Sequence, residues 1–334
     1  MIKNKKKKLT KLTRLTRLII IDANSIIHRA FYALPPLINK KKEPTGAVYG
    51  FLLAFFRAIK DFRPDFIAAC FDVHAPTFRH KKFKQYKAKR PPAPKELYSQ
   101  IPKIKEVLTV FKVPFFEKEG FEADDIIGTI AKLAPRKQVM PELEIIILSG
   151  DKDALQLVNK KTKVFVLNKG VKNAVLYDSK QVKEKYNINP DQVLDFKALR
   201  GDPSDNIPGI TGIGEKTAVK LLNQFNTLDN LYQELEENSE KAKELQSKLK
   251  ELLLQYKEQA FLSRFLAEIN RDTPIDFDLK KCQWGKYKES EVVEVLQNLG
   301  FNSLVKRLPE LKNKKHSSGK DEKDQLIRKN LSLW

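Results

Sequence analysis

The apolar positions fall into two regimes along the chain. In the first half, short unbroken runs are each closed by an acid: LIIIDANS at 18–25, FIAACFD at 66–72 and EIIILSGDKD at 144–153. Apolar runs of that length predict buried strands. Between them lie stretches with helical spacing. They predict a helix from Asp22 through Ala33 stopped at Pro35–Pro36, a second over 47–62, a third over 99–112, and a fourth beginning in FEADDIIGTI at 121–130. Two further short strands are predicted at 163–167 and 174–177. From Ser179 onward the pattern is mostly helical, including 240–269 and 289–299. Strands alternating with helices predict an α/β fold with a mainly parallel central sheet flanked by helices. A helical module follows from about Pro190.

Three predicted strands end at Asp22, Asp72 and Asp151. A single Asp at a strand end is ordinarily a turn or cap residue. Ligands of open α/β sheets, however, bind at the carboxyl ends of the strands. Three such ends, plus the acidic helix start, would gather Asp22, Asp72, Glu122, Asp124, Asp151 and Asp153 at one edge of the sheet. Crowded carboxylates repel one another, and a divalent cation is the usual reason to keep them together. Acids in a first helical turn also serve simply as caps. Asp124 and Asp125 point about 100° apart on a helix, so they need not face the same ion.

Composition narrows the class. The 334 residues are 41% hydrophobic and 31% charged, with a formal net charge of +21. That excess suggests a polyanionic partner such as nucleic acid. Part of it sits at the ends, in KNKKKKLTKLTR at 3–14 and in the polar, mostly basic 312–329, both predicted to be disordered. Cys70 and Cys282 are the only cysteines and give neither zinc spacing nor a disulfide framework, so a reducing cytoplasm fits. The apolar run at 18–21 is too short for a signal peptide, and no stretch approaches transmembrane length.

Two more segments carry chemistry. TFRHKKFKQYKAKRPPAPKEL at 77–97 has many cations interleaved with Phe78, Phe83 and Tyr86. LRGDPSDNIPGITGIGEKTAVKLL at 199–222 adds Asp202 and Asp205, then Gly209, Gly212 and Gly214 before a helix opening at about Glu215. Backbone N–H groups before a helix form an anion site, and Lys216 and Lys220 would add charge. The Walker pattern is absent, so the segment suits a DNA backbone better than a nucleotide pocket.

These segments, with DANS at 22–25 and KEPTGAVYGF at 42–51, resemble the 5′–3′ exonuclease domain of bacterial DNA polymerase I, within the flap endonuclease superfamily. The resemblance runs from about 18 to 225, and the helical remainder to about 308 fits the family's length. It implies a PIN-like nuclease domain over 18–189 with an arch at about 76–97. A DNA-binding module with a helix–hairpin–helix-type motif would follow over 190–308, flanked by tails 1–17 and 309–334. By resemblance, Asp22, Asp72, Glu122 and Asp124 would hold one Mg²⁺ or Mn²⁺ ion. Asp151, Asp153 and Asp205 would hold a second, with Asp124 able to bridge; Asp125 and Asp202 match further family acids of the metal site. Lys87 and Arg90 would approach the scissile phosphate, Arg29 would bind phosphate, and Arg79 would contact the backbone or support the arch. Tyr86 joins the DNA-binding set. His28 stands where relatives usually have a Tyr that stacks on a base.

The implied activity is hydrolysis of DNA and RNA primers at 5′ ends, flaps or nicks, by two-metal catalysis, in replication and repair. The resemblance further implies a monomer in the bacterial cytosol, associated with the nucleoid, and a separate DNA polymerase as partner. With no polymerase following Trp334, the chain resembles a free-standing nuclease. An RNA-specialised nuclease and a non-catalytic DNA-binding relative are the alternatives.

Overall fold

A computed structural model of the chain describes residues 15–136, 142–167 and 174–309. The basic stretch 3–14 and the polar tail 312–329 fall outside those residues. β1 (Thr16–Asp22) leads into α1 (Ala23–Ala33) and α2 (Gly46–Phe62). β2 (Phe66–Cys70) is followed by two short helices, α3 (Phe78–Lys82) and α4 (Lys95–Tyr98), then by α5 (Ile101–Val110), β3 (Phe115–Phe116) and α6 (Ala123–Leu133). The strands continue with β4 (Leu143–Ser149), β5 (Thr162–Leu167) and β6 (Ala174–Tyr177). The helical part comprises α7 (Ser179–Tyr186), α8 (Val193–Arg200), α9 (Glu215–Phe225), α10 (Leu228–Glu236), α11 (Glu240–Lys243), α12 (Ser247–Gln255), α13 (Lys257–Ala267), α14 (Glu289–Asn298) and α15 (Asn302–Val305).

Among the described residues, six strands form one sheet in the order β3-β2-β1-β4-β5-β6. All neighbours are parallel except β5 and β6. The unbroken apolar runs follow from burial on both faces. Leu18 and Ile20 of β1 pack on the face covered by α6 and the helical module. Ile19 and Ile21 pack on the opposite face, against α1, α2 and α5. Register then sets the chemistry: Asp22 lies level with Cys70 and one step past the Ile21–Leu148 pair. The acids after β1, β2 and β4 therefore leave the sheet at one edge. The two-residue β3 lies outside the sequence expectation, because two aromatic residues carry no periodicity.

Two expectations change. The helical pattern over 240–269 is cut into α11, α12 and α13 by non-helical backbone at Gln246 and Tyr256. The stretch beyond about 277 does not stay with the helical module either. Trp284 donates its backbone N–H to Asp65 O at 2.9 Å. Its ring stands 5.6 Å from Phe55, and Tyr287 stands 4.9 Å from Phe111. Val292, Leu296, Leu299 and Leu304 are buried in the layer formed by α2 and α5. Each fully buried aliphatic side chain contributes about 1.5–3 kcal/mol, so α14 and α15 belong energetically to the first domain.

The hairpin between α8 and α9 depends on two glycines whose backbones touch. Gly201 and Gly209 have φ of 78° and 60°. A Cβ on Gly209 would run into the backbone N of Gly201. The Gly209 N–H donates to Ser263 Oγ at 3.0 Å, and its carbonyl accepts from Gln259 Nε2 at 2.6 Å. Its role is therefore to fasten the hairpin to α13; the expected phosphate contact has no free N–H there. Gly212 and Gly214 are exposed, and so are Lys216 and Lys220 on α9. Gly209→Ala is expected to lower stability by about 3 kcal/mol through left-handed strain and backbone collision, read as a fall in the urea midpoint. An unchanged midpoint would show that the hairpin can move off α13 without cost.

Candidate active site

At the carboxyl edge of the sheet a cleft of about 920 Å³ is lined by Asp22, Asp72, Glu122, Asp124, Asp151, Asp153 and Asp205. His28, Arg29, Lys87 and Arg90 line the same cleft. The acids come from five separate chain segments, and the fold brings them together.

Each acid has a local reason for its position. Asp22 caps α1, its Oδ1 accepting from Ser25 N at 3.1 Å. Its Oδ2 accepts from Ser149 Oγ at 2.6 Å. Ser149 Oγ also accepts from Asp151 N at 2.8 Å, and Ser25 Oγ accepts from Gly150 N at 2.7 Å. With its proton committed to Asp22, Ser149 accepts from Ser25 across their 3.2 Å Oγ–Oγ contact. This clasp fixes the end of β1 against the loop after β4. Asp72 accepts from Ala123 N at 2.7 Å, which ties the end of β2 to the start of α6. Glu122 is the N-cap of that helix, with Asp124 and Asp125 in its first turn.

Electrostatics divides the acids into two groups. Burial pushes Asp22 up to about 6 and Asp153 to about 7. Burial, then the carboxylates of Asp22, Asp151 and Asp153, pushes Asp124 well above the usual range. Burial also raises Asp72. Burial works against Glu122 as well, but Lys87 and Arg79 hold its carboxyl below the ordinary value. Asp151 is held down similarly, by the Asp153 N–H and Lys197 acting against burial.

Cations from the segment after α3 reach over the cleft. Lys87 Nζ lies 2.8 Å from Glu122 and 3.8 Å from Asp205. Arg90 pairs with Asp205 and donates Nε to Ser204 O at 3.2 Å. Lys87 adopts φ of 55°, and its N–H donates to Asp205 O at 2.8 Å, so the arch is pinned to the 202–206 turn.

Several sequence expectations change here. Asp125 is fully buried and faces away from the cleft. It takes a two-pronged pair from Arg79 at 2.7 and 2.8 Å, plus N–H bonds from Glu122 and Asn270. Its oxygens are fully engaged, which removes it from the candidate ligands. Arg79 is likewise buried, donating also to the carbonyls of Leu266 and Glu268, and so supports the arch from within. Tyr86 is buried, its Oη 3.1 Å from Glu122 and 3.3 Å from Asp205, so its ring is closed to a base. Asp202 does not line the cleft. It shares Lys197 with Asp153, at 2.8 Å from Nζ, and with burial opposing, Lys197 and Ser204 hold it at about 2. Arg29 does line the cleft, but its guanidinium donates to Gly150 O at 2.6 Å. Lys197 and the Ser25–Ser149 clasp escaped sequence reasoning: a lysine on a helix and a serine after an apolar run carry no distinctive spacing.

The donor set fits hard divalent cations, being all oxygen and containing four acids whose carboxyls desolvation raises. Among the described residues no three carboxylate, His or Cys side chains converge as a ready-made cage. Lys87, Arg90 and Lys197 instead pair with Glu122, Asp205 and Asp153.

Comparison with known proteins places the chain among relatives. Residues 17–187 match the family described as 5′-3′ exonuclease, N-terminal resolvase-like domain, and residues 188–290 match 5′-3′ exonuclease, C-terminal SAM fold. DNA polymerase I of Bacillus subtilis is 42% identical over 293 residues, covering 88% of this chain and 32% of that protein. The enzyme of Bacillus caldotenax is 40% identical over 291 residues, covering 87% and 32%. The chain thus spans about a third of the length of these curated relatives. The fold is also that of T5 5′-exonuclease, solved with divalent metal ions (zinc) bound, at TM-score 0.60, 21% identity and coverage of 87% and 96%. The catalytic core of Rad2 in complex with DNA substrate gives TM-score 0.57, 17% identity and coverage of 87% and 91%. Among the described residues no helix is long and apolar enough to cross a membrane.

Two outcomes follow from the geometry. Arg79→Met strands a buried carboxylate and is expected to cost about 3–5 kcal/mol in urea unfolding; unchanged stability with weakened DNA binding would instead make Arg79 a DNA contact. The second concerns pH. An acid raised from 3.8 to about 6 binds more protons folded than unfolded in that interval, so its stability contribution falls as pH rises through it. Relative to Asp22→Asn, the wild type in EDTA should therefore lose about 2 kcal/mol between pH 4.5 and 7.5. A pH-independent offset between the two would show that Asp22 is well solvated.

Proposed function

The chain belongs to the 5′-3′ exonuclease family, and from that premise we propose that it is a metal-dependent 5′ nuclease acting on DNA at 5′ ends, flaps and nicks. The observation that carries the reading is the cleft itself: seven acids from separate segments meet beneath two arch cations. A purely structural or DNA-binding role gives no reason to concentrate so much like charge in a buried place.

Asp22, Asp72, Glu122 and Asp124 are the proposed holders of one ion, Asp151, Asp153 and Asp205 of the other, with Asp124 able to serve both. Two Mg²⁺ or Mn²⁺ ions bound there would supply an activated hydroxide and neutralise charge on the phosphodiester. Water adds to phosphorus, the P–O3′ bond breaks, and the products carry a 5′ phosphate and a 3′ hydroxyl.

The chain's own residues do the rest. Lys87 and Arg90, now on Glu122 and Asp205, face the space a scissile phosphate would enter and would stabilise its developing charge. The Ser25–Ser149 clasp holds Asp22 and Asp151 at fixed separation. His28 lies at the cleft with its pKa lowered by burial, which favours the neutral ring that stacks on a terminal base. The exposed Gly212, Gly214, Lys216 and Lys220 would grip the duplex backbone. All of these residues belong to one chain, so a monomer suffices. Because the curated relatives are DNA polymerases of about three times this chain's span, cooperation with a polymerase in replication and repair is part of the proposal.

Asp124→Asn and Asp151→Asn test the assignment. Each is expected to reduce Mg²⁺-dependent cleavage of a 5′-flap substrate on the order of 10²-fold or more while leaving flap binding in EDTA intact. Undiminished cleavage in both variants would sink the metal assignment. Binding without any cleavage by the wild type, in Mg²⁺ or Mn²⁺, would leave a DNA-binding protein.

A further inference from the structure

The arch cations that line the cleft, Lys87 and Arg90, are engaged by carboxylates, but two exposed lysines beside the loop after β4, the catalytic loop of the proposed nuclease, are not. Lys152 stands between Asp151 and Asp153, and its Nζ lies 5.9 Å from the centre of the Tyr186 ring. Lys185, from α7, places its Nζ 5.9 Å from the same ring. Lys185 also donates to Tyr177 Oη at 2.6 Å and lies 5.3 Å from that ring. Tyr177 is buried, so Lys185 rests on a fixed aromatic base. Among the described residues neither ammonium forms an ion pair with a carboxylate. The chain just after α7 also meets α9, Asn223 Nδ2 donating to Asn187 O at 3.1 Å. The two lysines therefore lie between the loop after β4 and α9, the helix that follows the hairpin.

Two exposed ammonium groups converge on one ring, and a backbone phosphate passing that ring would have both charges within reach. The ring attracts both cations without neutralising them, so each keeps its charge for an external ligand. We propose that Lys152, Lys185 and Tyr186 form a phosphate-binding site for the DNA backbone between the scissile position and the hairpin. The pair bridges the two halves of the DNA-binding surface and holds the reacting strand in register. The proposal rests on the nuclease reading and extends it to a contact outside the cleft.

The test uses fluorescence anisotropy of the full chain on a 5′-flap duplex in EDTA, across a salt series, with Lys152→Gln/Lys185→Gln. Gln keeps part of each aliphatic stem over the ring and removes only the charge. Loss of two phosphate contacts is expected to lower the slope of log K against log[salt] by about 2 and to weaken binding about tenfold at 0.1 M salt. Lys180→Ala, on the same helix but 3.7 Å from Glu184, should change neither. Thermal unfolding of each variant checks the fold; if the Gln pair lowers it, Lys→Met at both positions supplies the same measurement. A wild-type slope retained in a folded double variant overturns this inference alone. A wild type that binds the flap duplex no better than a single-stranded oligonucleotide overturns the nuclease reading beneath it.

Discussion

Like charge buried at one edge of a sheet is the constraint on which the rest of this structure depends. Parallel strands buried on both faces end together, and the acids that close them have nowhere else to go. Without cations the cluster would have to bind protons, as the raised values of Asp22, Asp124 and Asp153 record. Where lysine or arginine outweighs burial, the shift reverses, as at Glu122 and Asp202, whereas at Asp153 burial prevails over Lys197. The arch is the chain's own source of countercharge, and the arrangement of α3 and the turns after it follows from that need.

The same pairing gives the arch two sets of contacts with different character. Arg79 and Asp125 form a sealed joint, buried on both sides and extended by backbone carbonyls. Lys87 and Arg90 form an open one, with the Arg90 side chain 47% exposed. The sealed joint fixes where the arch stands. The open joint involves groups that can exchange partners, since a phosphate for the cations and a metal for the acids would conserve the charge balance. Rigid support beneath exchangeable tips suits the proposed role of the arch, which would stay in place while a strand passes under it.

Much of this was legible in the sequence, for identifiable reasons. The acid-terminated apolar runs gave both the strands and their shared edge, because register in a parallel sheet turns spacing into place. The helical phase separated Asp124 from Asp125, and the structure sends them to opposite sides. What stayed hidden depended on partners distant in sequence. A carboxylate that looks like a ligand becomes a structural anchor when Arg79 approaches from another segment, and nothing at Asp125 announces it. Tyr86 looks like a stacking residue until its hydroxyl is found between two acids. Lys197 and Ser149 carry no motif at all. The return of the chain after about 277 was equally invisible, since α14 has the pattern of any amphipathic helix.

That return has a consequence for how the molecule comes apart. Trp284, Tyr287 and the apolar faces of α14 and α15 pack on α2 and α5. The sheet meanwhile carries the helical module on its other face. Chain that leaves the first domain and comes back encloses it like a strap. Local opening of the last helices would uncover the side chains of Phe55 and Phe111, so the strap and the sheet share one cooperative unit. Slowly exchanging amide protons would accordingly be found at both ends of the described chain, and the residues that set the lifetime of the active site include some that lie far from it.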